Sequence, residues 1–203
     1  MEVTIPTEPS DVPLSKYIEC YKIGQEESLD QTWRAKKIIK TITGVGFNTL
    51  EQLPLRQLDQ IANKIGLVLQ TEQEFKQRFT WKGIEYGFIP NLEDLTTAEF
   101  VDIDSYGGDE FIENLHVVMA ILYRPIKEEF KDLYSIEPYK GTDGEHFKDL
   151  PLSIIQGALA FFLRLGQGLL QTTLDSLTES ETKVHLPDMV GTMFYSPSQM
   201  ETS

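Results

Sequence analysis

A chain of 203 residues holds one sizeable core and is too short for two large domains. Acids outnumber Lys plus Arg by 32 to 18, and the resulting formal charge of −14 repels phosphate backbones, which argues against nucleic-acid binding. The single cysteine, Cys20, excludes an intrachain disulfide, and the opening MEVTIPTEPSDVP lacks the basic start and apolar run of a secretory signal, so a cytoplasmic protein is expected.

In chain order, residues 1–12 read as an extended arm punctuated by Pro6 and Pro9. Ser10 or Asp11 then caps a helix with Pro13 in its first turn, Leu14, Tyr17, Ile18 and Tyr21 on one face, and Gly24 at its end. Cys20 lies on that pattern beside Tyr17 and Tyr21, as a small core residue rather than a nucleophile. Ser28 caps a second helix whose apolar stripe is Leu29, Trp33, Ala35, Ile38, Ile39 and Ile42, with Arg34, Lys36, Lys37 and Lys40 on a solvated face. The segment Thr43-Gly44-Val45-Gly46-Phe47 lacks the lysine and hydroxyl of a phosphate loop and reads as a turn. Pro54 opens a third helix with Leu55, Leu58, Ile61, Ala62 and Ile65 facing inward, closed by Gly66.

Between Phe75 and Ile89 the period changes to two, since Phe79, Trp81, Ile84, Tyr86 and Phe88 alternate with polar residues across Lys82-Gly83, which predicts a hairpin. Thr96-Thr97 caps a short amphipathic segment with Phe100, Val101 and Ile103. After Gly107-Gly108, Asp109 caps a helix through Phe111, Ile112, Leu115, Val118, Met119 and Leu122 that Pro125 terminates. The proline- and glycine-rich run from Ile126 to Pro151 reads as an irregular connection with a short strand at most. Leu152 to Leu177 is the longest apolar-periodic segment, but Arg164, two glutamines and three glycines make membrane insertion costly, so a helix buried in protein is expected. The expected fold is mainly α: a single helical domain over 13–178 with a small β-hairpin at about 75–89, and extended termini, the second being a flexible tail over 179–203.

Among candidate sites, the twelve residues from Asp102 to Glu113 place Asp102, Asp104, Glu110 and Glu113 at calcium-loop positions one, three, nine and twelve, with Gly107 at six. Tyr106 at position five supplies no carboxylate, and no second loop pairs with this one, so the acids are expected to cap helices and face water. His116, His146 and His185 are scattered, with Asp143 and Glu145 near only the second. Ser153 and Ser176 lack an activating motif. Neither catalysis nor a cofactor is expected. Arg124, between Tyr123 and Pro125, is placed to clamp Asp102 or Asp104 or to bond helix-terminal carbonyls.

The words GFIPNLEDLTTAEFVDID, NLHVVMAILYRPI, YSIEPYKGT and KDLPLSIIQGALAFFLRLG, in that order from Tyr86 to about Leu170, resemble a family of small acidic proteins encoded among the tail genes of tailed bacteriophages, associated with tail assembly chaperones. The opening IPTEPSDVPLSKYIECY is more weakly similar. The resemblance implies a non-enzymatic protein of the host cytoplasm that transiently binds the long, apolar-helical tape-measure protein while tube subunits assemble around it. Phe161, Phe162, Leu165, Leu169 and Leu170 are candidates for a client groove, although their default role is core. The rival expectations are a structural part of the virion, in tail, baseplate or connector, and a calcium-stabilised binding module. Self-association is left open by the sequence.

Overall fold

The computed structural model describes residues 4–108, 110–131 and 133–161. Its helices are α1 (Leu14–Gln25), α2 (Gln31–Thr43), α3 (Phe47–Glu51), α4 (Leu55–Gln70), α5 (Thr97–Tyr106), α6 (Leu115–Leu122) and α7 over 152–161. The strands β1 (Arg78–Trp81), β2 (Ile84–Phe88), β3 (Tyr123–Phe130) and β4 (Leu133–Ile136) form one antiparallel sheet in the order β1-β2-β3-β4.

That sheet corrects the expectation of a single helical domain with a small hairpin. The predicted hairpin does form, with Lys82 at φ +49 and Gly83 at φ +80 in the left-handed pair that a two-residue turn between twisted strands requires. It is only half of the sheet, because Tyr86, Gly87 and Phe88 pair with Pro125, Arg124 and Tyr123, and β4 adds a fourth strand. Pro125 lies beyond the end of α6, as expected, but inside a strand, its carbonyl accepting the Glu137 N–H at 2.9 Å. The pattern hid this pair because Lys127 to Phe130 face water on both sides, leaving no alternation for a core to impose. The connection after Pro125 thus contains two strands. Gly87 is required where β4 folds back, since a Cβ there would meet the Tyr134 ring at 2.3 Å.

Among the helices, α1, α2 and α4 begin near the expected places but differ at their ends. Pro13 is the residue before α1 rather than part of its first turn, and Asp11 closes a 3-10 turn over Pro9–Asp11 instead of capping α1. Asp30, not Ser28, caps α2, accepting the Trp33 N–H at 3.0 Å. Gly44, at φ +76, ends α2 in the left-handed conformation, and the predicted turn then runs directly into α3. Gly66 is buried within α4, which continues to Gln70. The helix expected to start at residue 109 begins only at Leu115, after a run of turns, and residue 109 itself lies outside the described residues.

One core unites these pieces. Ile38, Ile39 and Ile65 from the helical layer, Tyr123 and Phe147 beside the sheet, and Leu150, Leu152 and Ile155 are all fully or nearly fully buried in it. At roughly 1.5–3 kcal/mol for each large apolar side chain removed from water, such burial dominates the folded state. The expected N-terminal arm joins the core from Pro9 onward: Pro9 and Val12 are buried, and backbone bonds from Leu14 to Leu150 at 2.9 Å and from Leu152 to Val12 at 2.8 Å tie it to the start of α7. The tail expected over 179–203 lies outside the described residues.

Candidate functional site

The acidic stretch does not bring its carboxylates to one point. Asp102 and Asp104 stand on α5, a helix that continues to Tyr106, so the first five residues of the presumed loop are helical and cannot turn around an ion. Asp102 Oδ2 instead accepts the Tyr139 hydroxyl at 2.5 Å, and Glu113 pairs with Lys22 on α1. Among the described residues, no three His, Cys, Asp or Glu converge as metal ligands would.

Arg124 is a clamp, but its partner is Glu99 rather than Asp102 or Asp104. Its Nη2 lies 2.6 Å from Glu99 Oε1, with the two side chains only 13% and 4% exposed. Thr96 and Glu99 form the capping box of α5: Glu99 Oε2 accepts the Thr96 N–H at 2.7 Å and its hydroxyl at 2.6 Å, and Thr96 Oγ1 accepts the Glu99 N–H at 3.3 Å. Burial would raise the Glu99 pKa, yet the Thr96 hydrogen bonds and the Arg124 charge outweigh it and hold the carboxyl below its usual range. The signal for this partner was present in the spacing Thr96-x-x-Glu99. The pair lines a cleft of about 430 Å³ whose other walls include Ile89, Asp94, Ile136 and Tyr139. A carboxylate already bonded to three donors and held ionised is a strut between α5 and β3, not a proton-transfer group.

The remaining titratable candidates stay apart. Cys20 is fully buried, and burial pushes its thiol up to about 12, so it is an inert core residue. His116 lies in the first turn of α6, and His146 stacks on Tyr86 and meets Phe147 at a tilt; burial lowers the pKa of both histidine rings. Ser153 is buried, while His185 and Ser176 lie outside the described residues.

Of the five candidate client-binding residues, Phe161 stacks on Phe75 with ring centroids 4.3 Å apart and meets Phe88 edge-on, so its ring is engaged by the core. Phe162, Leu165, Leu169 and Leu170 lie outside the described residues. A groove of mixed polar and apolar lining is present elsewhere, between α2 and α4, with a volume of about 710 Å³. Ala35, Ala62 and Gly66 line it together with Gln31, Thr32, Asn63 and Gln70, and its Leu55 and Leu67 are 61% and 70% exposed. Sequence reasoning assigned Leu55 to the inward face and passed over Leu67. The available signal was surplus: Leu58, Ala62, Ile65 and Leu69 already complete a buried stripe on α4, leaving these two leucines outside it.

The groove also has a polar character of its own. Arg34 on α2 is 7% exposed and donates Nη2 to the carbonyls of Glu26 at 3.2 Å and Leu29 at 3.3 Å, while its Nε is buried with no hydrogen-bond partner. Asp59 is the one acid on the lining and Arg34 the one base. The lining thus joins exposed leucines to amide, hydroxyl and charged side chains along α4. No family model matches the chain, and neither a curated protein nor a solved structure is matched by it.

Proposed function

We propose that this chain is a non-enzymatic binding protein that keeps an apolar helical protein soluble, and that its client is a phage tail protein of the tape-measure type, held in the host cytoplasm during virion assembly. The observation that carries the binding reading is the α2–α4 groove, where two leucines of the lining stay in water on α4. Leu55 and Leu67 are twelve residues apart on one helix, a span of about 18 Å, or some three turns of a helix laid alongside. The charge of −14 suits the same task, because a soluble complex needs a surface that disperses it. The client's class comes from the resemblance of residues 86–170 to tail assembly chaperones.

Co-expression tests this reading. The soluble fraction of a tape-measure protein should rise with the chain present and fall back when both Leu55→Asp and Leu67→Asp are introduced. A client that stays equally insoluble with and without the wild-type chain overturns it.

A further inference from the structure

On one side the sheet ends at β4, and among the described residues no strand pairs with that edge. The Glu137 N–H bonds across the ladder to the Pro125 carbonyl, so by antiparallel alternation the backbone N–H and C=O groups of Ile136, and of Tyr134 two residues earlier, point away from β3. The face of a strand presents every second residue, whereas the 430 Å³ cleft is lined by every residue from 134 to 139; it therefore runs along the edge itself. The opposite wall comes from residues 89–99, where Ile89, Pro90 and Ala98 oppose Ile136 and Pro138. The Tyr139 ring is pinned as part of the first wall by its hydroxyl bond to Asp102.

The charge of the lining is one-sided. Arg124, its only base, is taken up by Glu99, which leaves Asp94 on one wall and Glu137 on the other. Both are exposed, and neither has an ion-pair partner among the described residues. The surroundings do not answer them, since residues 83–123 hold nine acids and no Lys or Arg.

We propose that this cleft takes an extended basic segment of another protein, which pairs with the free edge of β4 and sets a lysine or arginine between Asp94 and Glu137. Main-chain bonds to Tyr134 and Ile136 attach the segment whatever its sequence, and the two carboxylates select a cation whose alkyl stem lies against Ile136 and Tyr139. Charge disfavours the chain's own residues 162–203 as the occupant, because they carry two bases against five acids. A second copy is no better suited, since its densest basic run, Arg34, Lys36, Lys37 and Lys40, is locked in α2 and cannot pair as a strand. The cleft shares no residue with the α2–α4 groove, so this inference and the proposed function can fail separately.

The test is titration of the full chain with an end-blocked heptapeptide in which valine and threonine alternate around a central lysine. Half-saturation should fall at roughly 0.1–1 mM, as suits so small a patch, and binding should weaken with salt. Amide resonances should move along residues 89–99 and 134–139, and a central glutamate should abolish binding. Asp94→Asn and Glu137→Gln, exposed changes expected to melt as wild type, should each weaken the lysine peptide about two- to fivefold while leaving a norleucine-centred peptide unchanged. Methylation of alternate peptide nitrogens separates strand pairing from adsorption of charge: one alternate set should remove binding and the other should leave it intact. The methylated peptides probe the wild-type chain, so the test survives a variant that fails to fold. No saturation by about 1 mM, equal binding of the glutamate peptide, or indifference to both methylated sets overturns the proposal. Movement of resonances from residues 162–203 on peptide addition, or self-association that the peptide reverses, would name the chain itself as the occupant and overturn it too.

Discussion

The molecule buries two arginines, one in each of its two electrostatic halves, and treats them differently. Arg34 belongs to the basic helical layer, and its guanidinium is answered by the main-chain carbonyls of Glu26 and Leu29. Arg124 belongs to the acidic, sheet-bearing side, and its partner is the buried Glu99 carboxylate. A neutral acceptor loses one hydrogen bond when its donor goes. A buried carboxylate is left as an uncompensated charge. The lesson is that a surplus of acid outside allows acid inside only where a cation is brought to it.

The largest expected effect follows from that asymmetry. Arg124→Met strands Glu99 and should cost about 3–5 kcal/mol, lowering the melting temperature on the order of 10 °C. Arg34→Met should cost less, about 1–3 kcal/mol, because only carbonyls lose their donor. Chemical denaturation of the two variants decides it; equal losses would dissolve the distinction. Gly144→Ala belongs between these: Gly144 has φ +65, and a Cβ there would lie 2.4 Å from the His116 carbonyl oxygen, so backbone must shift, at a cost of about 2 kcal/mol or more.

Acid titration sharpens the same comparison. Glu99 has a folded pKa below its ordinary 4.5. Its contribution to stability is thus complete above that value and is lost as pH falls through the folded one. Glu99→Gln should be less stable than wild type at neutral pH, with the gap closing in acid, whereas the gap between Arg34→Met and wild type should not close over that window. A pH-independent Glu99→Gln difference would mean that the carboxylate's charge contributes nothing.

How far these features were legible depended on what each residue had to report. Phe79, Trp81, Tyr86 and Phe88 alternate because one face of their hairpin is buried, and the pattern exposed it. Lys127, Glu128 and Glu129 belong to an equally real strand whose sides both meet water, so composition carried no trace of it. Arg124 was recognisable as a clamp from its place between Tyr123 and Pro125, while its partner was misassigned to nearer-looking acids because the capping box fixes Glu99, not Asp102, against it. Leu55 was read with the apolar stripe of its helix and Leu67 was passed over, since apolar residues on a helix give their period but not the layer that is missing from one side. Candidate surfaces of this kind are the least readable feature of a sequence, being ordinary hydrophobic positions without a neighbour.

The smallest effect tests the one strand turn that the sequence did reveal. Lys82 occupies a left-handed conformation at φ +49, which an L-residue with a Cβ adopts at a cost of about 1 kcal/mol. Its side chain offsets little of this, reaching Asp149 only at 3.7 Å with both groups well exposed. Lys82→Asn keeps the turn while easing the strain and should stabilise the protein by about 0.5–1 kcal/mol. The gain should appear in the melting temperature. A destabilised Lys82→Asn would show that the lysine's contacts, rather than the backbone, hold this hairpin closed.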